Sequence, residues 1–536
     1  MRFAGEKRER MLGLWRTLLL GRYAPLPSAG ARAGAVSREE AWRPPVVSED
    51  ALRAAGIPVE VVDIAALGGG LGSFVFVDLL RCSGVPRESV AVVSSERSPA
   101  ASFERNCRNS QMTGDDRLRS SSDACPDNPW GFPGYGVREA ARALRRGRVD
   151  VAIGIAWRLF AEPAAAPTYT PLVDDLLRSV DREAARVGWA QMVREGRVVA
   201  IRKTAQGRLC VVVEHGDAGE TRYAAVCAQV LHLAFGHPAL QITPEAARYR
   251  ERHGGDERLV HGYEPHEQVY LGLRERGGVV VVRGRGIVAS RVLQRLAEEH
   301  ERNPGVVCVH LNRSRLTGGH RWGLTRRRVE GEFELQPFNW PKACFGGTLR
   351  DELEREPPGR RDRLLDAWGG STTAGRRGWR RIVACGLRQG WLRHEFGDVR
   401  AISQHEGHLD LALSGGRLLE ASWLIECTGF DEGPLRDPVV AGLVETYGLR
   451  LNRRGRLPVN DHFEVEAMRH EGARLYAAGT STLGGPFAPV DSFLGLQFAA
   501  LSAVDDILAL GLPGLRRLGG LRSLRAWWRW ARKVEP

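Results

Sequence analysis

The stretch Val59-Glu-Val-Val-Asp-Ile-Ala-Ala-Leu67 runs straight into Gly68-Gly-Gly70-Leu-Gly-Ser73-Phe74. The first nine residues form an apolar run of strand length, and Val75–Arg81 has helical spacing. A second buried strand is expected at Ser89-Val-Ala-Val-Val-Ser-Ser-Glu96. Strand, Gly-rich turn, helix and strand make one βαβ unit.

The pattern returns near the middle of the chain. Gly278-Val-Val-Val-Val-Arg283 reads as a strand, Gly284-Arg-Gly286-Ile-Val-Ala-Ser290 as a turn, Arg291–His300 as a helix and Val306–Leu311 as the next strand. Gly68 and Gly284 lie 216 residues apart. That distance suits a nucleotide domain inserted within another. The expected fold class is therefore α/β, with two Rossmann-like dinucleotide-binding domains, an NADPH domain inserted in an FAD domain.

Two glycines separated by one residue allow a tight turn and close backbone approach to a diphosphate, while the next helix offers free N–H groups. Gly68, Gly70 and Ser73 fill the three fingerprint positions of the first turn, with Ser in place of the third Gly. Glu96, at the end of the second strand, is placed to hold an adenosine ribose. Gly284 and Gly286 repeat the spacing, with Ser290 small enough for close helix packing. The strand that follows ends in His310-Leu-Asn-Arg313-Ser-Arg315 without an acidic residue, which favours the 2′-phosphate of NADPH over NADH. Solvated arginines are the plainer reading of that pair.

Other expected elements are a helix at Pro171–Val187, a hairpin over Arg197–His215, strands at Val226–Ala234, around Val399–Leu413 and at Ser422–Phe430, and a last strand at Arg474–Gly479. Asp491–Leu510 reads as a long apolar helix behind Gly484-Gly-Pro-Phe-Ala-Pro-Val-Asp491-Ser492. Its N-terminus can stabilise negative charge on a reduced flavin, or can be simply capped by Asp491 or Ser492. The two readings are compatible. The expected boundaries are a basic arm and linker (1–54), a first nucleotide domain in two parts (55–255 and 401–510), an inserted domain (256–400) with a cap-like stretch (330–384), and a tail (511–536).

The order of motifs resembles the class B flavin-dependent monooxygenases, and within them the lysine and ornithine N-hydroxylases. The resemblance runs from about Val59 to Leu510 and includes Gly236-His-Pro238, Phe333-Glu-Leu-Gln-Pro-Phe-Asn339 and Leu424-Ile-Glu-Cys-Thr-Gly429-Phe430. It implies FAD and NADPH as cofactors, with Gly429, Gly479, Asp491 and Ser492 among the residues around them. It also implies a small-molecule substrate and O2, with oxygen used through a flavin hydroperoxide and no acid–base pair required. Arg283 and Arg285 depart from the small or neutral residues common at the second turn.

Composition bounds the alternatives. Hydrophobic residues make up 43% and charged residues 26%, so the chain reads as globular. The net charge is +13, yet residues 1–25 carry +4 of it and residues 511–536 carry +6. With only four lysines among 77 basic residues and no basic stripe on the body, no nucleic-acid partner is expected. Nine scattered cysteines contain no CxxC, which argues for a reduced, cytoplasmic protein without a zinc site. His405-Glu-Gly-His408 reads as a solvated turn rather than a metal site, and His261 and His266 as a hinge into the second domain.

Leu521, Leu524, Trp527, Trp528 and Ala531 share one face of a basic tail helix, and Met11, Leu14, Trp15 and Leu18 make a similar stripe. Such helices either lie on an anionic membrane, as peripheral contacts, or pack on the body, the reading slightly preferred here. The rival functions are a membrane-surface flavin reductase acting on a quinone or another acceptor, and a non-catalytic regulatory flavoprotein.

Overall fold

The computed structural model describes residues 38–536 apart from 162–167, 218–219, 323–324, 337–342, 345, 370–371, 374–376 and 432. The strand read at the start of the chain, β1 (Val59–Leu67), ends at the Gly turn and leads into α1 (Leu71–Cys82) and β2 (Val90–Ser94). β1 pairs in parallel with β2, and Ile64, Ala65, Ala66 and Leu67 are fully buried.

Three helices absent from the sequence reading follow: Ala101–Asn109, then α2 (Gly134–Arg145) and α3 (Val149–Ala161). The expected helix after them spans Val173–Val187. Next come β3 (Val193–Glu195), the expected hairpin of β4 (Arg197–Thr204) and β5 (Leu209–Asp217), and the long β6 (Glu220–Leu233). β6 lies between β1 on one side and, on the other, β5 along its first part and the last strand of the chain along its end.

The second sheet is built of parallel strands in the order β10–β9–β8–β11–β7. These are β7 (Leu259–His261), β8 (Gly278–Arg283), β9 (Val306–Asn312), β10 (Leu392–Phe396) and β11 (Trp423–Glu426). Between β8 and β9 runs α4 (Ile287–Arg302), a full turn longer at its start than the sequence suggested. α5 (Pro358–Trp368) belongs to the cap-like stretch, and its Leu365 and Trp368 pack with Phe463, Phe487 and Phe498 of the first domain. The chain closes with β12 (Arg474–Ala477), α6 (Phe493–Ile507) and α7 (Gly520–Ala531).

Three expected boundaries shift. Val46–Val47, assigned to the linker, pairs in parallel with β4 and so belongs to the first sheet. β11, assigned to the returning part of the first domain, hydrogen-bonds between β8 and β7 in the second. The strands over Val399–Ala421, assigned to the same returning part, bury Ile402, Leu411 and Leu413 against Val281, Val309 and Leu311 of the second sheet. Partner choice among strands is set by distant residues that local sequence does not reveal. α6 with the short turn after it, Phe493–Leu510, is long and apolar enough to span a membrane, but it is half-buried against α1 in the core.

Candidate functional site

The two Gly turns are near copies in three dimensions. The Gly68 N–H donates to Val93 O at 3.0 Å, and the Gly284 N–H to Leu311 O at 3.1 Å. Gly68 has φ +110° and Gly284 φ +119°. A Cβ at either would stand 2.4 Å from a carbonyl oxygen, that of Ala234 in one case and of Cys427 in the other. Glycine is therefore required at both for the strand-to-helix passage itself.

Gly70 and Gly286 play a different part. They precede α1 and α4 with ordinary φ of −84° and −79°, neither offers a side-chain cap, and a Cβ at either would meet nothing within 4 Å. The backbone there faces open space at a helix start, where the first N–H groups lack intrahelical partners. A diphosphate fits such a cradle, and a side chain would fill it.

The third fingerprint residues do not reach the cavities. Ser73 is buried, with its hydroxyl donating to Leu67 O at 3.2 Å. Ser290 is likewise buried, and its hydroxyl bonds Ile287 O and Thr373 Oγ1. Both lock helix onto strand.

The first turn opens on a cavity of about 880 Å³ whose lining includes Gly68, Gly70, Gly236, Gly479, Asp491 and Ser492. Glu96 is not in its wall. That carboxylate accepts from Arg105 Nη1 at 2.7 Å, and Arg105 is the residue that reaches the cavity. Ser492 caps α6, its Oγ accepting the Gly495 N–H at 3.0 Å, so the helix start is both capped and turned toward the cavity. Asp491 lies beside His237, whose ring burial holds below the usual histidine range while the carboxylate opposes the shift.

The second turn opens on a cavity of about 520 Å³ lined by Gly284, Gly286, Gly429, Arg285 and Arg313, among others. Arg313 is 84% exposed and contacts Asp398 at 3.3 Å. Arg315 lies outside this wall, its guanidinium over the Phe396 ring at 5.0 Å. The second cation is instead Arg285, which donates to Asn312 Oδ1 and to the Ser314 carbonyl. Burial and the charge of Arg313 lower the pKa of Arg285. Arg283 also lines this wall, but its charge is engaged by Glu245 at 2.5 Å and Glu426 at 3.0 Å. It is an anchor there, and burial raises the pKa of Glu426 against the pull of Thr243 and Arg283.

The two cavities share a wall made of Tyr263, Ile287 and Val288. Tyr263 stacks on Phe430 at 4.2 Å, and Phe430 on His237 at 4.2 Å. Asn109 of the first domain fixes this stack by donating to Tyr263 O at 2.7 Å, and burial pushes the Tyr263 hydroxyl up to about 12. Gly236-His-Pro and the Cys-Thr-Gly-Phe430 segment were singled out in the sequence. Tyr263 was not, because it sits in a short link with no motif. The larger cavity continues past Arg119, His320, Leu365, Trp368 and Arg454, where Arg119 donates to Thr372 O at 2.7 Å.

Elsewhere, His405 and His408 face each other across a hairpin end, exposed, and His261 and His266 are separately buried. Asp78, Cys82 and Glu183 cluster closely, but Arg186 Nη2 occupies their midst, bonding Cys82 Sγ at 3.1 Å and Glu183 at 2.5 Å. A cation already sits there. The tail helix α7 is packed on the body, Trp530 against Trp130 at 5.6 Å and Trp527 against Phe132 at 5.8 Å. The arm stripe at Met11–Leu18 lies outside the described residues.

No family model and no curated protein matches this sequence. Solved structures do. The chain is similar to the ornithine hydroxylase of Pseudomonas aeruginosa at 15% identity and a TM-score of 0.57, covering 84% of this chain and 100% of that one. It is similar to the cadaverine monooxygenase of Erwinia amylovora, solved with FAD, at 14% identity, a TM-score of 0.58 and coverage of 86% and 97%. The ornithine N-hydroxylase of Kutzneria sp. 744, solved with reduced FAD, NADP+ and L-ornithine, gives 15%, 0.56, and 84% and 100%. At such identities these likenesses show a shared fold, that of two-dinucleotide-domain flavoprotein monooxygenases.

Proposed function

We propose that this chain is an FAD-containing, NADPH-dependent oxidoreductase, and that it works as a monooxygenase of the N-hydroxylase type on a small molecule. The observation that carries this reading is the pair of matched Gly cradles opening on two cavities with one shared wall. Bound FAD would accept a hydride from NADPH and supply the reactivity toward O2. Overall, an amine, NADPH, O2 and a proton would give a hydroxylamine, NADP+ and water.

The protein's own residues bind, orient and exclude. The Gly70 backbone and the start of α1 would hold the FAD diphosphate, and the Ser492-capped start of α6 would offer its dipole to the cofactor. Gly286 and the start of α4 would hold the second diphosphate, and Arg285 and Arg313 would supply charge for a 2′-phosphate. Tyr263 borders both cavities, and the Phe430 and His237 rings stacked behind it line the larger one. Neutral at pH 7, His237 adds no charge to it. The extension beside Leu365 and Trp368 leaves room for a small substrate and shields it from water.

The test measures NADPH oxidation, oxygen uptake and hydroxylated product together, with ornithine, lysine and cadaverine as substrates. Product in step with NADPH supports the monooxygenase. NADPH oxidation that yields only hydrogen peroxide, or that requires a quinone, moves the reading to an acceptor reductase.

A further inference from the structure

The described residues leave eighteen large apolar side chains exposed, and eleven of them fall in two short segments, Phe132–Phe160 and Leu521–Val534. The concentration is sharpest on α3. Val149, Ile153, Trp157 and Phe160 recur at helical spacing, so they share one stripe. Ile153 is 64% exposed, Trp157 60% and Phe160 83%. The opposite side of the helix holds it to the body, with Ala152 and Ile155 buried and Leu159 against Gly136 of α2. Gly154 and Ala156 separate the apolar residues, and the exposed Asp150 is the one acidic side chain of α3. Singly exposed apolar residues are ordinary, but a contiguous aromatic and aliphatic stripe marks a surface that another body covers.

Charge indicates which body. Arg145 at the end of α2 and Arg146 and Arg148 in the turn to α3 are all exposed and precede Val149. The second exposed apolar group, Leu521, Leu524 and Trp528, lies on α7 among Arg522, Arg525, Arg529 and Arg532. α7 is fastened at the segment that leads into α2, since Trp130 Nε1 donates to Ser523 Oγ and Trp530 Nε1 to Asp127 O. A symmetric contact with a second copy would set each arginine turn against an equally basic surface of a chain with net charge +13. An anionic surface with an apolar interior satisfies both features at once.

From this we infer that the α3 stripe, flanked by Arg145, Arg146 and Arg148, docks the protein on a lipid bilayer with anionic headgroups. Trp157 and Phe160 would enter the headgroup–acyl boundary while the arginines meet the phosphates. The inference does not depend on the proposed chemistry.

The test is co-sedimentation of the full-length, flavin-loaded protein with phosphatidylcholine vesicles, with and without phosphatidylglycerol. Binding to the anionic vesicles is expected, weakened by salt. A Trp157→Asp/Phe160→Asp variant should bind at least about tenfold more weakly. The Arg145→Gln/Arg146→Gln/Arg148→Gln variant should also lose about tenfold or more. All the changed side chains are exposed, and an unaltered circular dichroism melt verifies the fold. Equal binding to neutral vesicles, no binding at all, or binding that ignores the Trp157/Phe160 change overturns the inference. So does a wild-type dimer that this variant turns into a monomer, which would assign the stripe to a second copy.

Discussion

Gly68 and Gly70 are two residues apart in one turn, yet their substitution should fail in opposite ways. Gly68→Ala places a Cβ 2.4 Å from Ala234 O at φ +110°, so the strand-to-helix passage must distort. The cost is at least about 2 kcal/mol of stability, whatever the cofactor does. At Gly70 an added Cβ meets nothing within 4 Å and φ is ordinary, so the empty Gly70→Val protein should keep its fold. The new side chain would stand where a diphosphate must approach the start of α1. Losing two charge-assisted hydrogen bonds there removes about 3–6 kcal/mol of binding. That is roughly a hundredfold to ten-thousandfold in FAD affinity. The assay is flavin absorbance per protein after purification and after reconstitution, beside the thermal melt of the flavin-free protein. Gly70→Val should melt like the flavin-free wild type and carry little flavin. Full flavin in Gly70→Val, or a melt lowered as far as in Gly68→Ala, would refute the reasoning.

Three further outcomes follow from the same contacts. Arg285→Ala should raise the Kd for NADPH about tenfold or more while leaving NADH nearly unchanged, and Arg315→Ala should alter neither, as read by titration of each nucleotide. His232 is fully buried, stacked on Phe76 at 4.1 Å, and burial pushes its pKa down to about 3. The unfolded chain takes up that proton first, so the contribution is whole above about pH 6.5 and fades as pH falls toward the folded value. His232→Phe should therefore reduce the stability lost on acidification by about 1.4 kcal/mol per pH unit below pH 6.5, measured by denaturant unfolding. Arg186→Met leaves Asp78 and Glu183 buried without their cation and should cost about 3–5 kcal/mol in the same unfolding measurement.

Much of this fold was legible because parallel strands buried on both faces write themselves as apolar runs. Val59–Leu67 and Gly278–Arg283 could be little else, and the glycines after them marked where backbone must pass close to backbone. What stayed hidden was set by distance in the chain. Trp423–Glu426 reads as a strand, but only its pairing with Gly278–Arg283 places it in the second sheet. Arg313 and Arg315 look equivalent in sequence, yet Phe396 from a neighbouring strand draws Arg315 away and Arg285 takes its place. Glu96 is engaged by Arg105 one helix later, an encounter that no strand-end rule foresees. α3 has few charges and apolar residues all round, so helical periodicity gave no sign of it.

The central claim is that the two cradles hold two nucleotides, FAD and NADPH, and that the second reduces the first directly. The most direct measurement is the visible absorption of the purified, FAD-reconstituted protein before and after anaerobic addition of NADPH, with Gly286→Val in parallel. The account predicts a flavin spectrum that NADPH bleaches in the wild type, and one that stays oxidised in Gly286→Val at the same NADPH concentration. A protein that takes up no flavin, a wild-type flavin that NADPH leaves oxidised, or a Gly286→Val variant bleached as readily as the wild type would contradict it.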